Sequence, residues 1–152
     1  MLPTPKKFKV IAGSAEGNFT LTAFDGALLK AGIGNVNLLR VSSILPPSAE
    51  QDQQLEIPPG SLVPIAYGSI TCTEPDTLIA AAVGIGFSTD TFGVIMEFAG
   101  RCSQKEAENR IALMLKEAFE VRGMELNKTI IKGVEHRVVK IGAAFAAVPM
   151  WY

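Results

Sequence analysis

The chain of 152 residues is poor in the side chains that build metal and redox sites, with one histidine and two cysteines. Cys72 and Cys102 form no CxxC pair, and no histidine stands at ligand spacing from either. That excludes the common zinc and thioredoxin-type motifs and leaves two free, buried or half-buried thiols as the expectation. His136, between Glu135 and Arg137, reads as a surface histidine. Charge is sparse at 19% of residues, with a net charge of −1. Without a basic field, neither nucleic acid nor an anionic membrane is the expected partner. Lys6-Lys7-Phe8-Lys9 is followed by Gly13, Ser14, Glu16 and Asn18 rather than by a long apolar run. Neither a signal peptide nor a membrane span is expected, and the default location is the cytoplasm. Gly32-Ile33-Gly34 is not completed into GxGxxG or GK[ST], which removes a nucleotide-phosphate loop.

What is present is an ordinary globular composition, 48% hydrophobic, in a chain long enough for one domain with a real core. Lys7 to Ala12 reads as a first strand, and residues 13–18 carry turn chemistry. Residues 23–31 read as a short helix stopped by Gly32 and Gly34. A polar, proline-flanked loop is expected from Pro46 to Gly60, then a strand over 61–73. Residues 78–87 are ambiguous, but two glycines in a helix interior cost about 1 kcal/mol each, so strand is favoured. Residues 92–99 form another strand, with Glu97 as its one acid. The clearest element is a helix over 103–122: Ser103 and Glu106 make a capping box, and Ala107, Ile111, Met114, Leu115, Ala118 and Phe119 make one apolar stripe. Two strands around Gly133 complete the chain. Many strands and two helices indicate an α+β fold, a sheet sandwich with helices outside.

The chain is organised around Asn35-Val36-Asn37-Leu38-Leu39-Arg40-Val41-Ser42-Ser43-Ile44-Leu45-Pro46-Pro47, which reads as one strand running to a Pro-Pro stop. Two serines among apolar neighbours need hydrogen-bond partners. Together with Gly32-Ile33-Gly34 ahead of it, this segment resembles the self-cleavage segment of pyruvoyl-dependent arginine decarboxylases, and the resemblance continues more loosely along most of the chain. It implies a four-layer αββα sandwich with antiparallel and mixed sheets flanked by helices. It also implies that the single domain 1–152 is cut into a small chain, 1–42, and a large chain, 43–152. Ser43 would attack the carbonyl of Ser42, the cleavage site, and end as a covalent pyruvoyl group, a cofactor that replaces both pyridoxal phosphate and a metal. Its carbonyl would form a Schiff base with the substrate amine.

The same resemblance implies roles for further residues. Asn37 is the processing residue, donating to the serine carbonyl. Along one straight strand it would lie about 16 Å from Ser42, so the chain must bend sharply or another subunit must supply it. Glu97 is the proton donor; a carboxylate on an apolar strand is expensive, and desolvation favours its neutral acid. Asp25 would meet the substrate guanidinium, or else cap the short helix. Leu28, Val36 and Ile44 would line the aliphatic part of the site or be plain core. The implied reaction is L-arginine to agmatine and CO2 in a homotrimer of cut protomers, with trimers able to stack in pairs. Two alternatives stand beside it: a pyruvoyl decarboxylase of another amino acid such as histidine, and an uncut, non-enzymatic trimeric β module.

Overall fold

The computed structural model describes all 152 residues. In chain order its elements are β1 (Lys7–Phe8), β2 (Ile11–Glu16), α1 (Thr20–Ala31), β3 (Asn37–Arg40), β4 (Ile44–Leu45), β5 (Glu50–Gln51), β6 (Leu62–Cys72), β7 (Leu78–Phe87), β8 (Gly93–Gly100), α2 (Gln104–Arg122), β9 (Lys128–Arg137) and β10 (Gly142–Trp151). The centre of the first sheet is β10, an almost wholly buried run of small and branched residues. One edge of β10 pairs antiparallel with β6; the other pairs first with β2 and then, at Met150 and Trp151, with β1. β3 lies outside β6 and β5 outside β1, both parallel, so this sheet is mixed. The second sheet is antiparallel in the order β4-β8-β7-β9.

The two sheets face each other across a core that includes Phe8, Val10, Leu45, Val83, Ile85, Ile95, Ala146 and Val148. Each outer face is covered by one helix. On the first sheet, Ala23, Ala27, Leu28 and Ala31 of α1 pack on Ile11, Ile65, Ala143 and Phe145. On the second, Ile111 and Leu115 of α2 pack on Ala80 and Ala82, and Phe119 packs on Val94. Burying each of these larger side chains contributes about 1.5–3 kcal/mol. This is the expected αββα layering, and the strands expected over 78–87 and 92–99 are β7 and β8. The capping box also forms: Ser103 Oγ accepts from Glu106 N at 3.1 Å, and Glu106 Oε2 accepts from Ser103 N at 2.7 Å.

Several expected boundaries are overturned. The turn over 13–18 is largely strand, since β2 runs to Glu16. Gly13 is there because α1 lies directly on it: a Cβ would sit 2.6 Å from Ala31 N and 2.7 Å from Ala27 O. The helix starts at Thr20, three residues earlier than expected, with Phe19 as N-cap residue. Asp25 is therefore in the middle of α1 and caps nothing. The break between the last two strands falls at 138–141, and Gly133 lies inside β9. The single strand expected over 35–45 is two short strands, β3 and β4, in different sheets.

Candidate active site

The serine pair occupies the crossing between the sheets. Val41 N donates to Ile65 O on β6 at 3.0 Å, which is the last backbone bond of this segment to the first sheet. Ser43 O accepts from Ile95 N on β8 at 2.7 Å, the first bond to the second sheet. The Ser42–Ser43 peptide thus spans the gap, with Ser42 exposed and Ser43 half-buried. The local sequence accounts for this. Leu45 is buried in the core between the sheets, and Pro46-Pro47 ends the pairing immediately after it.

Glu97 lies on β8, two residues beyond Ile95 on the same face of the strand, about 6–7 Å along it. Its side chain is 24% exposed. Burial pushes the Glu97 carboxyl above its ordinary value, and the nearby Arg40 charge pulls it back only in part. β8 comes close to the first sheet at this level. A Cβ on Gly68 of β6 would stand 3.2 Å from both Phe98 N and Phe98 O, so glycine lets the backbone next to Glu97 rest against β6.

Arg40 is the site residue that the sequence reading missed. β3 stops at Arg40 while β6 runs on to Cys72, leaving the Tyr67 carbonyl beyond the end of the β3 ladder. Arg40 Nη2 donates to that carbonyl at 2.8 Å, and the guanidinium carbon lies 4.5 Å from the Tyr67 ring centroid. The same Nη2 lies 3.7 Å from Glu97 Oε1. Arg40 is the only charged residue between Asn35 and Pro47, and that isolation was the available signal.

The remaining expected residues are spread over the protomer. Asn37 begins β3, at the end away from the serines, and its Nδ2 donates to Gly60 O at 3.2 Å. Asp25 is exposed on α1, and its neighbour Phe24 rests against Tyr67 with ring centroids 6.5 Å apart. Leu28 is buried between α1 and the first sheet. Val36 is half-buried and lines a recess of about 320 Å³ with Gly34, Ile57 and Lys9, beyond the Asn37 end of β3. Ile44 is 41% exposed beside the crossing. Glu97 and Arg40 are brought together, and Ser43 is bonded to β8 two residues before Glu97, while Asp25, Leu28, Val36 and Ile44 do not close one cavity within the protomer. His136 is not a plain surface residue: it is half-buried and hydrogen-bonded to Glu16. Cys72 is buried and Cys102 partly so, both free. No helix is long and apolar enough to cross a membrane.

The family model for pyruvoyl-dependent arginine decarboxylase matches residues 7–149. A protein of that name from Methanocaldococcus jannaschii is 50% identical over 150 residues, covering 97% of this chain and 91% of the relative. One from Pyrococcus abyssi is 45% identical, covering 97% and 96%, and one from Methanococcus maripaludis is 43% identical, covering 97% and 92%. With matches running through both sheets, both helices and the serine crossing, the chain belongs to the pyruvoyl-dependent arginine decarboxylase family.

Proposed function

We propose that this chain is a self-processing decarboxylase that converts L-arginine to agmatine and CO2. One observation carries the reading: the Ser42–Ser43 peptide is anchored to different sheets on its two sides, at Val41 and at Ser43. A peptide held on both flanks is suited to the strained geometry in which Ser43 Oγ attacks the Ser42 carbonyl. The attack converts the amide into an ester and frees the Ser43 amine. Loss of the Ser43 α-proton then breaks the Cβ–Oγ bond and expels Ser42 as a carboxylate. The dehydroalanine left at position 43 tautomerises and takes up water, releasing ammonia and leaving a pyruvoyl group. The products are residues 1–42 and 43–152.

Family membership implies this covalent group in place of pyridoxal phosphate, and the residues present suit it. Position 43 supplies the hydroxyl, and the Ile95 amide holds its carbonyl. Once formed, the group supplies a carbonyl that captures the substrate α-amine and takes up the electron pair freed as CO2 leaves. Glu97, whose carboxyl burial pushes above its ordinary value, is the acid that delivers a proton to the substrate Cα. Asp25 takes the substrate guanidinium, and Leu28, Val36 and Ile44 flank its aliphatic part. Asn37 serves the cleavage step.

The dispersal of these residues over one protomer supports a site completed between subunits. Leu39, Ile44 and Leu62, 45%, 41% and 60% exposed, supply apolar surface along β3, β4 and the start of β6 for a homotrimer of cut protomers, with trimers stacking in pairs.

Intact-mass analysis of freshly folded protein, followed by CO2 release from arginine and from histidine, tests the reading. Two pieces of about 42 and 110 residues and release from arginine are expected. A chain that never splits, or that releases CO2 only from histidine, overturns it. Light scattering tests the trimer.

A further inference from the structure

Arg40 and Glu97 stand on opposite sides of the proposed cut. Arg40 belongs to 1–42 and Glu97 to 43–152, and their 3.7 Å contact bridges the two. The residue that becomes the new C-terminus, Ser42, is two positions past Arg40 and one past Val41, whose amide is the last backbone bond to the first sheet. Resting on the self-cleavage reading above, we infer that cutting transfers the Arg40 guanidinium from Glu97 to the newly formed α-carboxylate of Ser42, so that Glu97 binds its proton more readily in the processed protein than in the precursor.

The chemistry favours the transfer. Cleavage leaves Ser42 as a carboxylate, one oxygen of which is the former Ser43 Oγ. Two carboxyl groups then compete for one guanidinium. A chain-terminal α-carboxyl is the stronger acid of the pair, at about 3.3–3.7 in solution, and Ser42 is solvent-exposed. Glu97 is partly desolvated, and desolvation disfavours its charged form. The cation goes to the group that stays ionised more readily. Reach is not limiting: two residues span at most about 7 Å, and nothing beyond Val41 holds the freed end to the sheet. Arg40 itself keeps its place through the Tyr67 carbonyl and ring. Among charged groups, only Arg40 acts on Glu97; β6 sets Gly68 against the neighbouring Phe98 backbone, and β7 pairs Val83 with Glu97. Arg40 is thus a positioning residue. It lowers the Glu97 carboxyl's hold on a proton in the precursor, and that pull weakens when the pyruvoyl precursor is made.

The test is a titration of Glu97 by carbon NMR with δ-carboxyl-labelled glutamate, assigned with E97Q. Cut wild-type protein is compared with the uncut S43A protein, and intact mass confirms the state of each. The midpoint is expected to be higher in the cut protein by about one pH unit, a tenfold change in the protonated-to-ionised ratio. In R40M the cut and uncut forms are expected to titrate together, and R40K is expected to restore part of the difference. Equal midpoints for cut wild type and uncut S43A, or a difference that persists in R40M, overturn the transfer alone. A wild-type chain that never splits overturns the cleavage reading and the transfer with it. Should R40M fail to fold, the comparison of wild type with S43A still decides.

Discussion

Glu16 Oε2 lies 2.5 Å from His136 Nε2, joining the end of β2 in the first sheet to β9 in the second. Glu16 Oε1 accepts from Lys140 N at 2.8 Å in the turn between β9 and β10. Burial alone would raise the Glu16 carboxyl, but the His136 hydrogen bond and the Lys140 and Val139 amides together hold it below the ordinary value. A carboxyl lowered by folding adds stability above its unfolded value, and that stability is lost as pH falls through the lower folded value. In the uncut S43A background, E16Q is expected to cost about 1–2 kcal/mol at pH 7. Its gap to the parent should narrow as pH drops below about 4.5. Urea unfolding at fixed protein concentration checks this, and a gap unchanged down to pH 3 would show that the charge contributes nothing.

Asn37 is bonded to Gly60 O, and Ser42 lies past the other end of β3. If the Asn37 that assists cleavage comes from a neighbouring protomer, N37A should cut about 100-fold more slowly on its own, the usual loss of one oxyanion donor. Co-assembly with S43A, which carries Asn37 but cannot attack, should restore cutting of the N37A chain. Mass spectrometry distinguishes the chains, and no rescue would place the assistance within one chain.

Glu97 and Asp25 should separate by kinetic constant. E97Q is expected to process normally and to lose about 100-fold in kcat, the size of one general-acid contribution. D25A is expected to raise KM for arginine with a much smaller effect on cleavage. Unchanged kcat in E97Q, or unchanged KM in D25A, would remove the respective role.

Gly68 rests against the Phe98 backbone, and the atoms nearest a Cβ there are Phe98 N, C and O, with no soft side chain among them to yield. G68A should push β8 outward by a few tenths of an ångström and cost about 1–3 kcal/mol as an overpacked core change. Because Glu97 is the next residue along β8, kcat should fall while KM for arginine changes little. A G68A enzyme with the parent's kcat would show that the spacing between β6 and β8 does not position the acid.

The elements legible in the sequence were those whose signal is local. The capping box at Ser103 and the apolar stripe through Ile111, Leu115 and Phe119 specify α2 without reference to any other element. The glycine-rich segment 78–87 was readable as a strand because helix interiors penalise glycine. Illegible features depended on a distant partner. Gly13 looks like a turn until α1 is laid on it. Residues 35–45 look like one strand because both halves suit a pleated, half-buried setting, and nothing in their composition says that the halves join different sheets. At the candidate site, Ser42, Ser43 and Glu97 were singled out through family resemblance, whereas Arg40 was passed over as one cation on an edge strand. Its importance comes from the Tyr67 carbonyl and from Glu97, 27 and 57 positions away.

In the first sheet, β10 lies between β2 and β6. Residues 1–42 supply β1, β2, α1 and β3, while β10 comes from beyond position 43. A break at the serines therefore divides the covalent chain without dividing the body, since each piece is a missing slice of the other's sheet. Neither fragment has a complete hydrophobic interior alone. Premature scission would strand two partial molecules in solution, whereas scission after closure loses no ladder contact. Under the proposed cleavage, the ripening of the enzyme would be tied to its own architecture: a copy that bore the reactive carbonyl would be one that had already finished folding.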